Sequence, residues 1–495
     1  MPIMDEPTSL DPQIADSNSE KLVAANCYEG LVRIMADGTI GKGVATDWNI
    51  SDDGLTYTFK LRNNSHWAMF SGHKAVLGEN YEDTFDITVK AEDFKFGIER
   101  TLSEQTGSAD APLFSAVKSI STPDDFTIVF TLSYADDNFL YALTNPGAMP
   151  CDEEFFNLTN GKYGLDAKYL LCNGPFHVSK WTEKTSVKLA KNNEYNGESS
   201  VSPSSVTFYI NNDDSEVADK MNSVTYDVAF LSSSQFSSIE NKKDLNSVAV
   251  QNVTYSFIFN QNDNNYRNKN MRLAFCRSCD TSSLFDSQSD ISKADGIVPP
   301  SCKIGGEDYR NGNAAELLSY DETLAKKNFN DALLELGSSS VETTILCTEQ
   351  YEPFVKQMVQ KLQKTLGVKF VSTVKVVSES DLEAAVNDGN YSVAFYPFKA
   401  KSSFAGEIIE GFDQNNIFGY ESDVLSQKIR NIKNNSGSLE GERSAVADAE
   451  NYLVSEAVIM PVFYENSYFV TSKKTSGIYF YSSADNVCFI NAKKS

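Results

Sequence analysis

Cys276 and Cys279 form the only Cys-x-x-Cys spacing in the chain. Such a pair can hold zinc or exchange thiols, but zinc needs two further ligands at matching spacing. The three histidines, His66, His73 and His177, are all distant in sequence. The pair therefore reads as two small buried residues three apart on one helix face, with no metal bound. The eight cysteines are scattered, and a chain of 495 residues needs no disulfide staples, so most are expected as free thiols.

Other reactive arrangements fail on inspection. No Gly-x-Ser-x-Gly elbow marks a serine nucleophile. The nearest approach to a phosphate loop, at Gly41-Lys42-Gly43, has Ala36 at the first glycine position and Gly43 at the hydroxyl position. As a dinucleotide fingerprint it places Thr46 at the third glycine and runs into a strand. Carboxylate pairs such as Asp52-Asp53 and Asp124-Asp125 precede alternating segments, which makes them turn residues. Neither an enzyme nor a cofactor site is indicated.

The elements around these residues interleave. Leu55, Tyr57, Phe59 and Leu61 alternate with period two, as do Phe126, Ile128, Phe130 and Leu132, and Val206, Phe208 and Ile210. Helical spacing follows a capping box at Ser17 and Glu20, and recurs at Phe94, Ile98 and Leu102, across 322–336 and from Pro353 to Leu366. Polar breaks near 71–86, 102–110, 192–204, 261–270, 286–313 and 434–442 separate them, none long enough for a disordered linker. The pattern predicts an α/β chain of several lobes.

Composition supports a soluble globular protein, 41% hydrophobic and 22% charged. Asp and Glu number 68 against 43 Lys and Arg, a formal charge of −25 that repels phosphate backbones and disfavours nucleic acid as a partner. Twenty-three Tyr and 31 Phe suffice for a core and an aromatic-lined cleft. No run of about 18 apolar residues is present, and Met1 to Leu10 lack the regions of a signal peptide. If the protein is secreted, its export signal precedes this numbering.

A series of motifs narrows the reading. Glu6-Pro7-Thr8-Ser9-Leu10-Asp11-Pro12 is followed by Tyr28-Glu29-Gly30-Leu31-Val32, then Asp37-Gly38-Thr39-Ile40 and the stretch from Ser51 to Arg62. Trp67, Val89-Lys90-Ala91-Glu92-Asp93-Phe94 and Glu99-Arg100 come next, then Asn173-Gly174-Pro175-Phe176 with Tyr195-Asn196. Farther on stand Phe257-Ile258-Phe259-Asn260, Met271-Arg272-Leu273-Ala274-Phe275, Gly389-Asn390-Tyr391-Ser392-Val393-Ala394 and the strand from Ala457 to Tyr464. In order, from residue 6 to residue 464, these segments resemble those of the extracellular oligopeptide- and dipeptide-binding components of ABC importers, the solute-binding proteins of family 5.

The resemblance implies a two-lobed α/β fold of the periplasmic-binding-protein type (class II). An extra subdomain is inserted, and the ligand cleft lies between lobes joined by a two-segment hinge. Residues 1–40, 165–259 and 466–495 would form lobe I, 41–164 the inserted subdomain and 260–465 lobe II. The implied function is capture of short peptides in that closing cleft and delivery to membrane permease subunits, by a monomer. It would work on the extracellular face of the membrane or in the periplasm, lipid-anchored through a segment outside this chain. A same-fold receptor for oligosaccharides or another non-peptide solute is the alternative, and a secreted hydrolase a more distant one.

By position in the family, ligand contacts would come from Ala15, Asp16 and Ser17 and from Phe395, Tyr396, Phe398, Lys399 and Lys401. Main-chain groups would hold the peptide as an added strand. Phe398 stands where relatives carry a Trp, and Lys401 where they carry the Asp that pairs with the peptide ammonium. A lysine there would favour a carboxylate instead. Either Asp16 or a nearby acid then takes the ammonium, or the ligand is not a free-amino peptide, or the register differs by a few residues.

Overall fold

The computed structural model describes residues 1–35, 39–80, 84–136, 138–197, 200–281, 284–285, 290–399, 404–413, 416–435, 438–481 and 486–495. The chain divides into two compact units, Met1–Ala249 with Tyr468–Ser495, and Val250–Ser467. Both divisions fall within long strands, Leu245–Phe259 and Ile459–Ser472.

In the first unit β1 (Pro2–Ile3) precedes α1 (Asn18–Cys27) and a four-stranded sheet. That sheet contains β2 (Ala45–Ile50), β3 (Thr56–Leu61), β4 (Val117–Asp124) and β5 (Thr127–Leu132), in the order β2-β3-β5-β4. The period-two pattern sets which face is buried. Tyr57, Phe59 and Leu61 of β3 and Ile128, Phe130 and Leu132 of β5 all point inward, and the Phe59 and Phe130 rings meet edge-on at 5.8 Å. Each such side chain contributes about 1.5–3 kcal/mol on burial. The acid pairs hold turns, as their sequence positions suggested. Asp53 accepts from the Leu55 N–H at 3.0 Å beside Gly54, whose φ of +69° is left-handed. Asp124 accepts from the Phe126 N–H at 3.0 Å and the Thr127 hydroxyl at 2.8 Å.

Residues 41–164 fall in this first unit and include α2 (Ala91–Leu102). A second sheet joins β1 to β6 (Phe176–Thr182), β7 (Ser186–Lys191) and β8 (Ser205–Ile210), in the order β1-β8-β7-β6. A further strand, β9 (Val228–Ser232), belongs to a small core with Val217, Met221 and Val470.

The motif residues form the framework of this unit. Asp11 is 3% exposed and is gripped by Arg100 of α2 at 2.5 and 3.2 Å, while the same guanidinium lies 4.1 Å from the Phe156 ring. Glu29 pairs with Arg62 and accepts from the Tyr195 hydroxyl at 3.0 Å. The Asn173 side chain closes both main-chain groups of Glu29, accepting from its N–H at 3.0 Å and donating to its carbonyl at 2.8 Å. Gly174 must lack a side chain, because a Cβ there would stand 2.6 Å from the Tyr28 nitrogen and 2.7 Å from the Cys27 carbonyl carbon.

The second unit is a sheet with helices on both faces. Its main strands are β10 (Leu245–Phe259), β11 (Val341–Cys347), β12 (Phe370–Val376), β13 (Val393–Lys399) and β14 (Ile459–Ser472), in the order β14-β10-β13-β11-β12, and the short strand Ile291–Lys293 pairs with β14. Phe257, Phe259, Val393, Phe395 and Ile345 pack in one core with α3 (Lys269–Ser278), α4 (Glu322–Leu336) and α5 (Glu352–Leu366). Ile258, Ala394 and Leu346 pack in the other with α6 (Glu379–Asn387), α7 (Asp423–Asn434) and α8 (Leu439–Ser455). A strand covered on both sides has no polar face, which is why Phe257-Ile258-Phe259 runs apolar without alternation.

Cys276 lies on α3 and Cys279 caps its C-terminus, both inside the first of these cores. Burial pushes the Cys276 thiol up to about 12, so it stays protonated. Among the described residues no group of three or more His, Cys, Asp or Glu side chains could hold a metal ion. Arg272, 2% exposed, donates to the carbonyls of Tyr266, Arg267, Glu456 and Ala457 at 2.7–3.0 Å. It ties α3 to the turn before β14.

Candidate ligand-binding site

In the first unit the candidate segment Ala15–Ser17 links a one-turn helix over Pro12–Ile14 to α1. Ala15 is buried at 4% exposure, Ser17 is half-buried, and Asp16 faces outward. The segment is held by Glu20, itself 4% exposed. One Glu20 oxygen accepts from the N–H groups of Asp16 at 3.1 Å and Ser17 at 3.2 Å. The other accepts from the Thr8 N–H and hydroxyl, both at 2.8 Å, and from the Ser9 N–H at 3.3 Å. Burial by itself would raise the Glu20 carboxyl, but the bonds from Thr8, Asp16 and Ser17 outweigh it and hold it below the usual glutamate value. Ser17 completes the expected capping box by accepting from the Glu20 N–H at 3.2 Å. The donors of Asp16 and Ser17 are thus already engaged, and what the segment presents is the Asp16 carboxylate, which makes no hydrogen bond or ion pair among the described residues.

In the second unit the candidate segment is β13. Its pairing with β10 runs the whole way from Val393 opposite Phe259 to Lys399 opposite Val253. Its pairing with β11 covers only Val393 and Ala394, because β11 ends at Cys347. Pro397, which carries no N–H, falls beyond that point, where a strand tolerates it. From Phe395 to Phe398 the side of β13 away from β10 therefore has no paired strand among the described residues.

The side chains of β13 have separate fates. The Phe395 ring is 1% exposed, among Tyr255, Phe257, Tyr351, Phe354 and Phe463, so only its main chain can meet a ligand. Tyr396 and Phe398 are half-buried on the opposite face, 5.6 Å apart. Phe398 stacks on Phe412 at 5.9 Å and Phe418 at 5.8 Å. Across the ladder from Phe398 and Tyr396 sit Thr254 and Ser256, whose buried hydroxyls have no hydrogen-bond partner among the described residues. Lys399 is exposed, and Lys401 lies outside the described residues.

Sequence reading missed one acid in this unit. Glu465, on β14, accepts a short hydrogen bond from the Tyr351 hydroxyl, and Gln350 donates to that same hydroxyl at 3.1 Å. Burial raises the Glu465 carboxyl above the usual range, with Glu379 and Asp290 adding to it against the bonds from Tyr351 and Gln350. No Lys or Arg pairs with it among the described residues. A carboxylate beside the rings of Tyr255 and Tyr351 is a place where a cation gains from both charge and aromatic faces. The only signal in the sequence was its position one residue past the recognised strand ending at Tyr464.

Comparison with known proteins fixes the fold. The model of the bacterial extracellular solute-binding proteins, family 5, matches residues 39–418. The chain is 24% identical to the dipeptide-binding protein DppE of Bacillus subtilis over 96% of its own length and 88% of that protein's. Among solved structures, OppA of Listeria monocytogenes bound to peptide superposes with a TM-score of 0.77 at 21% identity, covering 100% of this chain and 98% of that one. A dipeptide binding protein of Pseudoalteromonas sp. SM9913 in complex with Met-Leu superposes at 0.78 and 18% identity, covering 100% and 99%. The chain shares their two-lobed α/β fold.

Proposed function

The chain belongs to the bacterial extracellular solute-binding proteins of family 5, and from that membership we propose that it captures short peptides and hands them to the permease of an ABC importer. Members of the family are binding proteins that work outside the cell or in the periplasm. The reading includes a monomer held at the membrane by a lipid anchor and no chemical step on the ligand. No helix among the described residues is long and apolar enough to cross a membrane.

The observation that carries the proposal is the side of β13 from Phe395 to Phe398, which no strand pairs among the described residues. An extended peptide can add there as a strand, and its affinity then comes from amides that every peptide shares. Phe395, Tyr396, Phe398 and Lys399 contribute through this strand, and Ala15, Asp16 and Ser17 through the loop fixed by Glu20. Lys401 remains part of the proposal by its position in the sequence alone. Asp16 and Glu465 are two acids suited to a ligand ammonium: among the described residues the exposed Asp16 carboxylate has no partner, and no cation offsets Glu465.

Calorimetry with a set of tri- to pentapeptides tests the reading. Binding of a free peptide is expected, together with a loss of at least tenfold when its central amides are N-methylated, about 1.4 kcal/mol. Peptides that bind equally well with methylated amides would remove strand addition. Binding of oligosaccharides with no response to any peptide would replace the ligand class.

A further inference from the structure

Two cysteines that no motif joins meet in the first unit. Cys27 is the last residue of α1, and Cys172 directly precedes the Asn173-Gly174 turn. The turn lies against the end of the helix through one main-chain bond and two bonds from the Asn173 side chain. Gly174 donates to the Cys27 carbonyl at 2.8 Å, and Asn173 accepts from and donates to the main chain of Glu29. The absent side chain of Gly174 permits that approach. Both cysteines are buried at this junction, 0% and 1% exposed, and the Cys27 thiol lies near enough to Cys172 to feel its charge.

We propose that Cys27 and Cys172 are joined by a disulfide when the protein folds in an oxidising compartment. Family members work outside the cell or in the periplasm, where such bonds persist. The reaction is an exchange with a small-molecule disulfide such as oxidised glutathione. The Cys27 thiolate attacks one sulfur of the oxidant and expels a thiolate, and Cys172, deprotonated, then attacks the mixed disulfide at the Cys27 sulfur and expels the second. Two protein thiols are oxidised, one oxidant disulfide is reduced to two thiols, and two protons pass to the products.

The native fold also sets when this happens. Burial, reinforced by the contact with Cys172, pushes the Cys27 thiol well above its ordinary value, so the folded protein holds almost no thiolate there. Exchange therefore belongs to the folding chain, before the turn closes over α1. The other nearby thiols are differently engaged. Cys151 lies 3.5 Å from the Arg100 guanidinium, and Cys488 sits in a segment whose neighbours Val487 and Phe489 bond the Asn26 side chain.

The test refolds the full chain from denaturant in a glutathione redox buffer, alkylates remaining thiols under denaturing conditions, and maps peptides without reduction. A cross-linked peptide pair containing Cys27 and Cys172, two hydrogens lighter than the separate peptides, is expected, and it should persist in Cys151→Ser. The same oxidant added to already folded, reduced protein should yield far less of it. Closing residues 28–171 into a loop should raise the melting temperature of oxidised over reduced wild type by roughly 5–10 °C. Full alkylation of both Cys27 and Cys172 after oxidative refolding, or pairing of either with Cys151 or Cys488 instead, would overturn the proposal. Because the mapping uses the wild-type chain, poor folding of a cysteine variant cannot obscure the answer.

Discussion

Replacing Glu20 by Gln should loosen the loop that presents Asp16. The substitution keeps the shape but puts an NH2 group where one carboxylate oxygen stood. One oxygen serves two N–H groups, from Asp16 and Ser17, and the other serves three donors, from Thr8 and Ser9. Whichever way the amide turns, at least two hydrogen bonds to a charged acceptor become donor–donor contacts. Such bonds contribute about 1.5–3 kcal/mol each and are not additive, so a total loss near 3 kcal/mol is expected. Urea denaturation of wild type, Glu20→Gln and Glu20→Ala at neutral pH measures it. The pH dependence supplies a second check. The folded-state carboxyl lies below the ordinary value of 4.5, so the unfolded state takes up protons first. The stabilisation is complete above 4.5 and is lost as pH falls through the folded value, where a protonated Glu20 resembles Gln. The gap between wild type and Glu20→Gln must therefore close in acid. A difference under about 1 kcal/mol at pH 7, against the magnitude above, or one that stays constant down into acid, would refute the reasoning.

Three further outcomes follow from the same structure. Asp11→Ala and Arg100→Met should each destabilise by about 3–5 kcal/mol in urea melts because each strands a buried charge, and the double variant should lose less than the sum. Glu465 has the opposite pH sign to Glu20: its folded value is raised, so its unfavourable contribution grows as pH climbs from 4.5 through that value. Glu465→Gln should accordingly gain melting temperature relative to wild type on going from acid to neutral pH, and a relative loss would show that Tyr351 and Gln350 stabilise the charged form after all. Thr254→Val removes a fully buried hydroxyl that has no partner among the described residues, so it should stabilise by about 1 kcal/mol, read as a rise of roughly 1–2 °C; a drop would reveal an unseen partner for that hydroxyl.

The sequence alone determined what depends on neighbours along the chain. Period-two runs located β3, β5 and β8, helical spacing located α4 and α5, and the Ser17–Glu20 capping box marked the start of α1, because backbone geometry repeats over two to four residues. The acid pairs before β3 and β5 read correctly as turns for the same reason. Family motifs reached farther and supplied the fold, but not what their residues do. Asp11, Glu29, Arg62, Arg100 and Asn173 prove to be framework, engaged with partners up to 166 residues away along the chain. Tertiary structure alone turned the Phe395 ring into a core, since a side chain's face depends on which helices cover the sheet. It alone left one side of β13 from Phe395 to Phe398 without a strand among the described residues, since that depends on where β11 stops. It alone gave Glu20 its three extra donors from Thr8 and Ser9, brought Cys27 to Cys172, and set Glu465 beside Tyr351. Each of these contacts joins separate stretches of chain, and no local pattern encodes a partner that only folding delivers.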